Sequence, residues 1–407
     1  MQDLIKKLKR TTFNDYFHIL KLLIAIPISI IFKLIRKDIW LISERKFEAK
    51  DNGISFFEYL NKCHPEIDSV YVIDKNAKDY LKVKEIGKTV SFGTVEHWIY
   101  YLSASKVISS QKNGKPNAAI CYFLEINEVF KSKFYFLQHG ITKDDSEWLY
   151  YENTKFKLFV CGALPEFNYI QINFGYPKNN ICYTGFSRFD KLYRSYEVKK
   201  TIKEKDLKKK ILIIPTWREW LSEKNSKFFQ IEGTLQFEET KYFKSWKNVL
   251  INEHLNDLIV NEDIEINFFL HPEMQKYINF FQKLNSNVNI IPMDEVEISD
   301  LLIDSNLLIT DYSSVFFDFV YMKKPVIFYQ FDKKAYRENQ YKIGYFDYEK
   351  THFGESVETI SKVFEEIDRF VENNFAVSEL FLKEHKLYFE LFDDKNSERI
   401  FKEIGGN

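Results

Sequence analysis

The chain has 407 residues, well above the ~100–200 of one domain, which points to two packed domains and away from a motif-sized binding module. With 45% hydrophobic and 29% charged residues it can build real cores, while only 13 Gly and 9 Pro exclude collagen-like, linker-like and propeller-type chains. A net charge of −1, from 58 Lys and Arg against 59 Asp and Glu, excludes the overall basic field of a general nucleic-acid binder.

Charge is not spread evenly. Residues 1–37 carry Lys6, Lys7, Lys9, Arg10, Lys21, Lys33, Arg36 and Lys37 against Asp3 and Asp15, a net of +6 that leaves −7 for the rest. Within this arm, residues 22–32 form an apolar run broken by Pro27 and bracketed by Lys21 and Lys33. The run falls short of the ~20 residues needed to span a bilayer. Residues 33–37 offer no small-residue cleavage site, so a secretory signal is not expected. The arm at 1–37 reads as a basic amphipathic segment held at a membrane surface, with an ordinary core helix as the other main reading and a single tilted span, Lys21 and Lys33 snorkelling, as a third. The four cysteines, Cys63, Cys121, Cys161 and Cys182, form no CxxC pair and have no His at a zinc-like spacing, so no metal site is expected.

From residue 67 onward, short β-branched or aromatic runs alternate with longer amphipathic segments. Strands are expected at 69–73, 106–109, 134–137, 158–161 and 181–184, with helices between them, for example at 95–103 and 166–174. The Lys-rich stretch 197–210 reads as a linker. A second strand series follows at 211–215, 264–270, 288–291, 307–310 and 326–329. Two such blocks, 38–196 and 210–380, followed by a C-terminal helix at 381–407, imply two parallel-sheet α/β domains rather than one antiparallel fold. Ligands of such sheets bind at the carboxyl ends of the strands.

Five polar motifs fall at those ends. They are Gln138-His139-Gly140, Thr184-Gly185 through Arg188 to Asp190, Pro215-Thr216-Trp217-Arg218, His271-Pro272, and Thr310-Asp311-Tyr312-Ser313-Ser314. A His at a strand end can act as a general base near neutral pH or donate to a phosphate oxygen. Arg188 and Arg218 are planar donors suited to phosphate. Asp311 or Ser313 is expected to cap a buried helix at 315–320, with Asp318 one turn on, which would leave backbone N–H groups and hydroxyls for an anion. Each residue alone has a structural reading; together they suit a diphosphate ligand with no bound metal. There is no GxxxxGK[ST], no GxGxxG after a strand, and no DxD at a strand end. Asp144-Asp145 and Asp393-Asp394 read as solvated surface.

This set resembles the CDP-glycerol glycerophosphotransferase family of teichoic acid and capsule enzymes. Trp40 through Arg45, with Glu48, Ala49, Asp51, Asn52 and Gly53, is similar to an early motif of that family, and Gly344 through Glu349 to a late one. The resemblance implies an α/β chain of two Rossmann-like domains facing a cleft, glycosyltransferase-B-like, and transfer of an alditol phosphate from CDP-glycerol or CDP-ribitol to a lipid-linked or polymeric glycan acceptor, with release of CMP. No cofactor and no nucleic acid is implied, and the place of action is the cytoplasmic face of the membrane. By position, His139 and His271 match the catalytic pair. Gly140, Ile141, Thr142, Lys143, Arg188, Pro215, Thr216, Phe269, Leu270, Ser313, Ser314 and Asp318 match donor-binding positions, to which the strand-end reading adds Arg218. In one assignment His139 is base to the acceptor while His271 stabilises the diphosphate; His271 as acid to the leaving phosphate is equally open. Gln138 before His139 with Ile141-Thr142 after it, Phe269, and His352-Phe353-Gly354 depart from the family pattern, and the first and last of these leave alditol and acceptor open. A nucleotide-sugar glycosyltransferase of the same fold, or a non-catalytic scaffold, are the competing expectations.

Overall fold

The computed structural model describes residues 13–127, 133–202, 208–221 and 237–405. The chain divides into two compact units, one from Met1–Ile141, Glu147–Asp190 and Asp393–Asn407, the other from Thr142–Ser146 and Lys191–Phe392. The C-terminal segment, expected as one helix, is shared between them: helix Glu379–Tyr388 belongs to the second unit and helix Asn396–Ile404 to the first. Of the expected linker, the beginning extends the helix Phe189–Thr201 and the end enters a strand at Lys210, while 203–207 lie outside the described residues.

Among the described residues the first unit holds seven parallel strands: β1 (Ile39–Ser43), β2 (Asp68–Val72), β3 (Lys88–Val90), β4 (Lys106–Ser109), β5 (Phe134–Phe136), β6 (Leu158–Cys161) and β7 (Ile181–Tyr183). Their order is β3-β2-β1-β4-β5-β6-β7. The chain builds outward on one side of β1 and then returns to β4 on the other, so the crevice where the order reverses lies between β1 and β4. Ser43 pairs with Ser109, which brings both strands to the same edge. β1 was not expected as a strand. All five of its residues are buried, so the run lacks the alternation that marks a half-exposed strand, as central parallel strands do. Trp98, Tyr101, Phe134 and Phe156 fill the core beneath it.

The second unit repeats the plan with β8 (Lys210–Ile214), β9 (Glu265–Phe269), β10 (Asn289–Ile291), β11 (Leu307–Thr310), β12 (Val326–Tyr329) and β13 (Gly354–Val357), all parallel, in the order β10-β9-β8-β11-β12-β13. Thr310 pairs with Ile214, so the reversal lies between β8 and β11. The edge strands β3 and β13 were also not expected, being short and largely polar.

The N-terminal arm departs from expectation in length. Its described part is one 23-residue helix, Phe13–Ile35, long and apolar enough to cross a membrane, because Phe13 to Leu20 extend the apolar run in helical register despite Pro27. One face is docked on the first unit. Trp98 Nε1 donates to His18 Nδ1 at 3.1 Å, Lys21 Nζ to the Gly93 carbonyl at 2.7 Å, and Asn117 Nδ2 to Asp15 Oδ1 at 2.8 Å, around a wholly buried Ala25. The other face leaves Phe13, Leu23, Ile30, Ile31, Leu34 and Ile35 exposed.

Candidate functional site

All five polar motifs lie at carboxyl ends of parallel strands, three on the second sheet and two on the first. In the first unit the loop after β1 is organised by buried Glu44, whose carboxylate accepts the N–H groups of Lys50 at 2.9 Å, Asp51 at 3.1 Å and Ile54 at 2.7 Å. Gly53 is required by this fold, since a Cβ there would lie 2.7 Å from Glu44 Cγ. Burial, and then the Asp51 charge, push the Glu44 carboxyl up to about 8 against the pull of those N–H donors.

The loop delivers Asp51 and Asn52 at the start of the helix Asn52–Cys63. Asp51 Oδ1 takes Arg188 Nη1 at 2.8 Å; Asn52 donates to the Gln138 carbonyl at 2.8 Å and accepts the Arg188 N–H at 3.2 Å. Two adjacent side chains therefore tie the ends of β1, β5 and β7 together. Sequence reasoning did not place either in the site, although an Asp immediately before a helical pattern is a capping signal. Gln138 sits at φ 58°, strained for a residue other than glycine, and is held there by its amide donating to the Val160 carbonyl at 2.6 Å and Glu166 Oε1 at 3.0 Å.

That turn presents His139, an exposed residue whose ring gives one N–H to the Ser110 carbonyl in the loop after β4. The protein packed around the imidazole lowers its pKa, the Arg45 and Arg188 charges add to this, and Asp51 and the Ser110 bond oppose it. The shift favours the neutral ring, whose second nitrogen has no partner among the described residues. Arg188 is half-buried, its guanidinium 5.0 Å from the Phe186 ring. The rest of its motif is structural: Asp190 accepts the Asn396 N–H at 2.8 Å and the Ser397 N–H at 3.1 Å, and a Cβ on Gly185 would strike Asn396. Ile141 is buried.

In the second unit Asp311 is wholly buried. Its Oδ1 accepts the N–H groups of Thr216 and Tyr312, each at 2.8 Å, and its Oδ2 accepts Arg218 Nη2 at 2.7 Å. Arg218 is equally buried, with Nε to Asp332 at 2.8 Å and Nη1 to the Thr216 carbonyl at 2.8 Å. Two expectations change here. Asp311 caps no helix, because its oxygens join β8 to β11, and Arg218 is a buried organiser of the Pro215-Thr216 turn rather than a side chain open to a ligand. The helix begins at Phe316, later than expected, and the turn before it is capped by Ser313 Oγ accepting the Val315 N–H at 3.3 Å. Ser314 is half-buried with no protein partner for its hydroxyl among the described residues, and Asp318 is buried one turn on.

His271 ends β9, following buried Phe269 and Leu270, and stacks with Trp217 at 6.0 Å and 23°. Its Nδ1 accepts the Glu273 N–H at 3.2 Å, so the neutral ring carries its proton on Nε2. Asp144, expected as solvated surface, is buried between Lys143 and Arg337, the latter at 2.6 Å; burial alone would raise its pKa, but the two cations hold it below the usual carboxylate range. Thr142 lies half-buried beside this cluster, and the Lys143 ammonium stands 5.5 Å from the Tyr348 ring.

The sequence profile of the CDP-glycerol:poly(glycerophosphate) glycerophosphotransferases matches residues 24–406. The chain belongs to this glycerophosphotransferase family. It is 33% identical over 383 residues to the minor teichoic acid biosynthesis protein GgaB of Bacillus subtilis, covering 91% of this chain and 40% of that protein. It is 27% identical over 394 residues to the teichoic acid poly(glycerol phosphate) polymerase of Bacillus spizizenii, covering 89% and 90%. Among solved structures, the wall teichoic acid polymerase TagF superposes with a TM-score of 0.65 at 17% identity, covering 97% of this chain and 98% of that one. UDP-GlcNAc 2-epimerase from Neisseria meningitidis follows at 0.56 and 14%, covering 91% and 100%. These likenesses establish the fold of this glycerophosphotransferase relative as TagF-like and glycosyltransferase-B-like.

Proposed function

We propose that the protein transfers glycerol phosphate or ribitol phosphate from CDP-glycerol or CDP-ribitol to an acceptor hydroxyl in teichoic-acid-like or capsular polymer synthesis, releasing CMP. The observation that carries the assignment of roles is the opposite hydrogen-bond polarity of the two histidines. His139 gives a ring N–H to the Ser110 carbonyl and keeps a lone pair, as a base needs. His271 gives its Nδ1 lone pair to the Glu273 N–H and keeps Nε2–H, as a donor to phosphate needs.

In this reading His139 takes the proton of the acceptor hydroxyl as its oxygen bonds to the phosphorus that bears the alditol. The bond from that phosphorus to the bridging oxygen breaks, and the electron pair leaves with CMP. His271 Nε2–H, Arg188 and the Ser313-Ser314 hydroxyls meet the charge on the diphosphate, and Gly140 through Lys143, Pro215, Thr216, Phe269, Leu270 and Asp318 shape the donor site. Arg218 acts only through Thr216 and Asp311. Both histidines serve one donor, so each must be needed.

The test is a donor screen. Purified protein with a glycerol-phosphate acceptor is expected to release CMP from CDP-glycerol or CDP-ribitol and nothing from UDP- or GDP-sugars; nucleotide release from a sugar donor alone would replace this function with glycosyl transfer. We also propose that the exposed face of the helix Phe13–Ile35, with Lys21, Lys33 and Arg36, rests on the cytoplasmic membrane surface. Replacing Leu23, Ile30, Ile31 and Leu34 with Gln should move the protein from the floating to the soluble fraction with anionic vesicles; unchanged flotation would refute it.

A further inference from the structure

The loop between β4 and the helix Ala118–Ile126 carries a feature that the donor chemistry leaves unused. It lies at the carboxyl edge of the first sheet, beside the reversal between β1 and β4, where ligands of such sheets bind. The loop is pressed onto the strand ends: Ser43 Oγ donates to the Gly114 carbonyl at 2.8 Å, Ser109 Oγ to the Ser43 carbonyl at 2.9 Å, and a Cβ on Gly114 would lie 2.1 Å from Ser109 Oγ. Its position is therefore fixed by contacts rather than by its own flexibility.

Lys112 projects from this loop. Its ammonium donates to the Trp148 carbonyl at 2.7 Å and lies 5.8 Å from the Trp148 ring and 5.6 Å from the Tyr122 ring. An ammonium has three donors, and this one has no carboxylate partner among the described residues. The carboxylate whose field reaches it, Glu125, is already bonded to Lys115 and to Tyr101 Oη. Burial, and then the Lys115 charge, pull the Lys112 ammonium down to about 8, with Glu125 opposing them. Trp148 is 44% exposed, although its backbone is anchored by buried Leu149 and by Asn153 Nδ2 donating to the Glu147 carbonyl at 2.9 Å. An exposed indole beside a cation with no carboxylate partner among the described residues is suited to a ligand with both a carbon skeleton and an anionic group.

The same loop holds His139. Ser110, whose carbonyl takes the His139 ring N–H, is two residues from Lys112, a backbone span of at most about 7 Å. In a chain of alditol phosphates the terminal hydroxyl is separated from the last phosphodiester by one short carbon unit. We propose that Lys112, Trp148 and Tyr122 form an acceptor subsite that takes the last phosphodiester and adjoining alditol of a growing alditol-phosphate chain, placing the terminal hydroxyl at His139. The inference rests on the transferase reading above and adds to it the chemistry of the acceptor: a phosphorylated one, favoured over a bare alcohol.

The experiment compares a water-soluble glycerol-phosphate trimer with glycerol as acceptors, at saturating CDP-glycerol. Lys112→Gln and Trp148→Ala should each raise KM for the trimer about tenfold or more, leave KM for CDP-glycerol unchanged, and abolish the preference for trimer over glycerol. Trp148→Phe should restore most of it. An unchanged trimer KM, or equal rises in both KM values, would overturn the subsite. Calorimetric titration of the trimer without donor separates this inference from the parent reading. Trimer binding that Lys112→Gln abolishes supports the subsite even where no CDP-alditol yields CMP. No binding by the wild-type protein overturns it while CMP release would leave the transferase intact. Vesicle flotation is the control for the alternative source of phosphate: a loss of binding to anionic vesicles in Lys112→Gln equal to its loss of trimer binding would assign Lys112 to lipid headgroups and overturn the proposal.

Discussion

The two units carry their polar residues on the same edge of similar sheets but hold them by different physics. In the second unit the turn Pro215-Thr216 and the segment Asp311-Tyr312 are fixed by a buried ionic knot, Arg218 between Asp311 and Asp332, with Tyr312 and Tyr336 stacked at 3.7 Å beside it. In the first unit the equivalent work is done by neutral buried side chains, Asn52 and Gln138, with the Asp51–Arg188 pair half-buried beside them. A wholly buried ionic knot gives rigidity to the turns it joins, whereas the half-buried Asp51–Arg188 pair leaves His139, the proposed base, sensitive to small electrostatic changes. The comparison teaches that charge near a site can be scaffold in one half and tuning in the other.

The largest effect should come from breaking the knot. Arg218→Met leaves Asp311 and Asp332 buried without their cation and is expected to cost about 3–5 kcal/mol in urea denaturation, because uncompensated buried charge is strongly destabilising. Arg218→Lys should recover only part of it, since an ammonium cannot match both carboxylates and the Thr216 carbonyl. A cost below about 1 kcal/mol for Arg218→Met would mean that the knot does not hold the second unit.

Acid should expose each unit through its own buried histidine. Burial lowers His97 of the first unit to about 3 and His385 of the second to about 4, each from an ordinary 6.5. The unfolded chain thus takes up protons below pH 6.5 while the folded chain does not, so their contribution is full above pH 6.5 and declines as pH falls toward 4. Glu44, raised to about 8, has the opposite slope: its contribution is full below its unfolded pKa near 4.5 and is lost as pH rises toward 8. Replacing both histidines with Gln should therefore flatten the loss of stability between pH 6.5 and 4, by on the order of a few kcal/mol at the acid end. An unaltered slope would show that neither ring remains neutral in the folded state.

Cutting a tie in the first unit should be milder. Asn52→Ala removes the bonds to the Gln138 carbonyl and the Arg188 N–H, and is expected to cost about 1–3 kcal/mol and to lower kcat more than it raises the donor KM, through a misplaced His139. Equal kcat in the variant would show that the tie does not position His139. The smallest effect is a shift of the acid limb of the pH profile of kcat/KM. Asp51→Asn removes the charge that raises His139, so the limb should move down, and Arg45→Gln removes one that lowers it, so the limb should move up, each by under about one pH unit.

Much of this was legible in the chain. The strand-end placement of His139, Arg188, His271 and Ser313-Ser314 follows from where short apolar runs stop, and both sheets confirm it. What failed to show was burial set by distant partners. Asp144 looks like a surface acid until Arg337, 193 residues away, closes on it, and Arg218 looks like a phosphate donor until Asp332, 114 residues away, takes its guanidinium. β1 was hidden for a different reason, since a strand buried on both faces and following an apolar helix has no period of its own. Local chemistry was readable, and long-range pairing was not.

The central claim is that two histidines of opposite hydrogen-bond polarity serve one transfer. CMP release from CDP-glycerol or CDP-ribitol with a glycerol-phosphate acceptor, measured for the wild type, His139→Ala and His271→Ala, tests it most directly. Each variant is expected to lose about 10²-fold or more in kcat while still binding the CDP-alditol; a variant that retains kcat within a few-fold of the wild type would contradict the account.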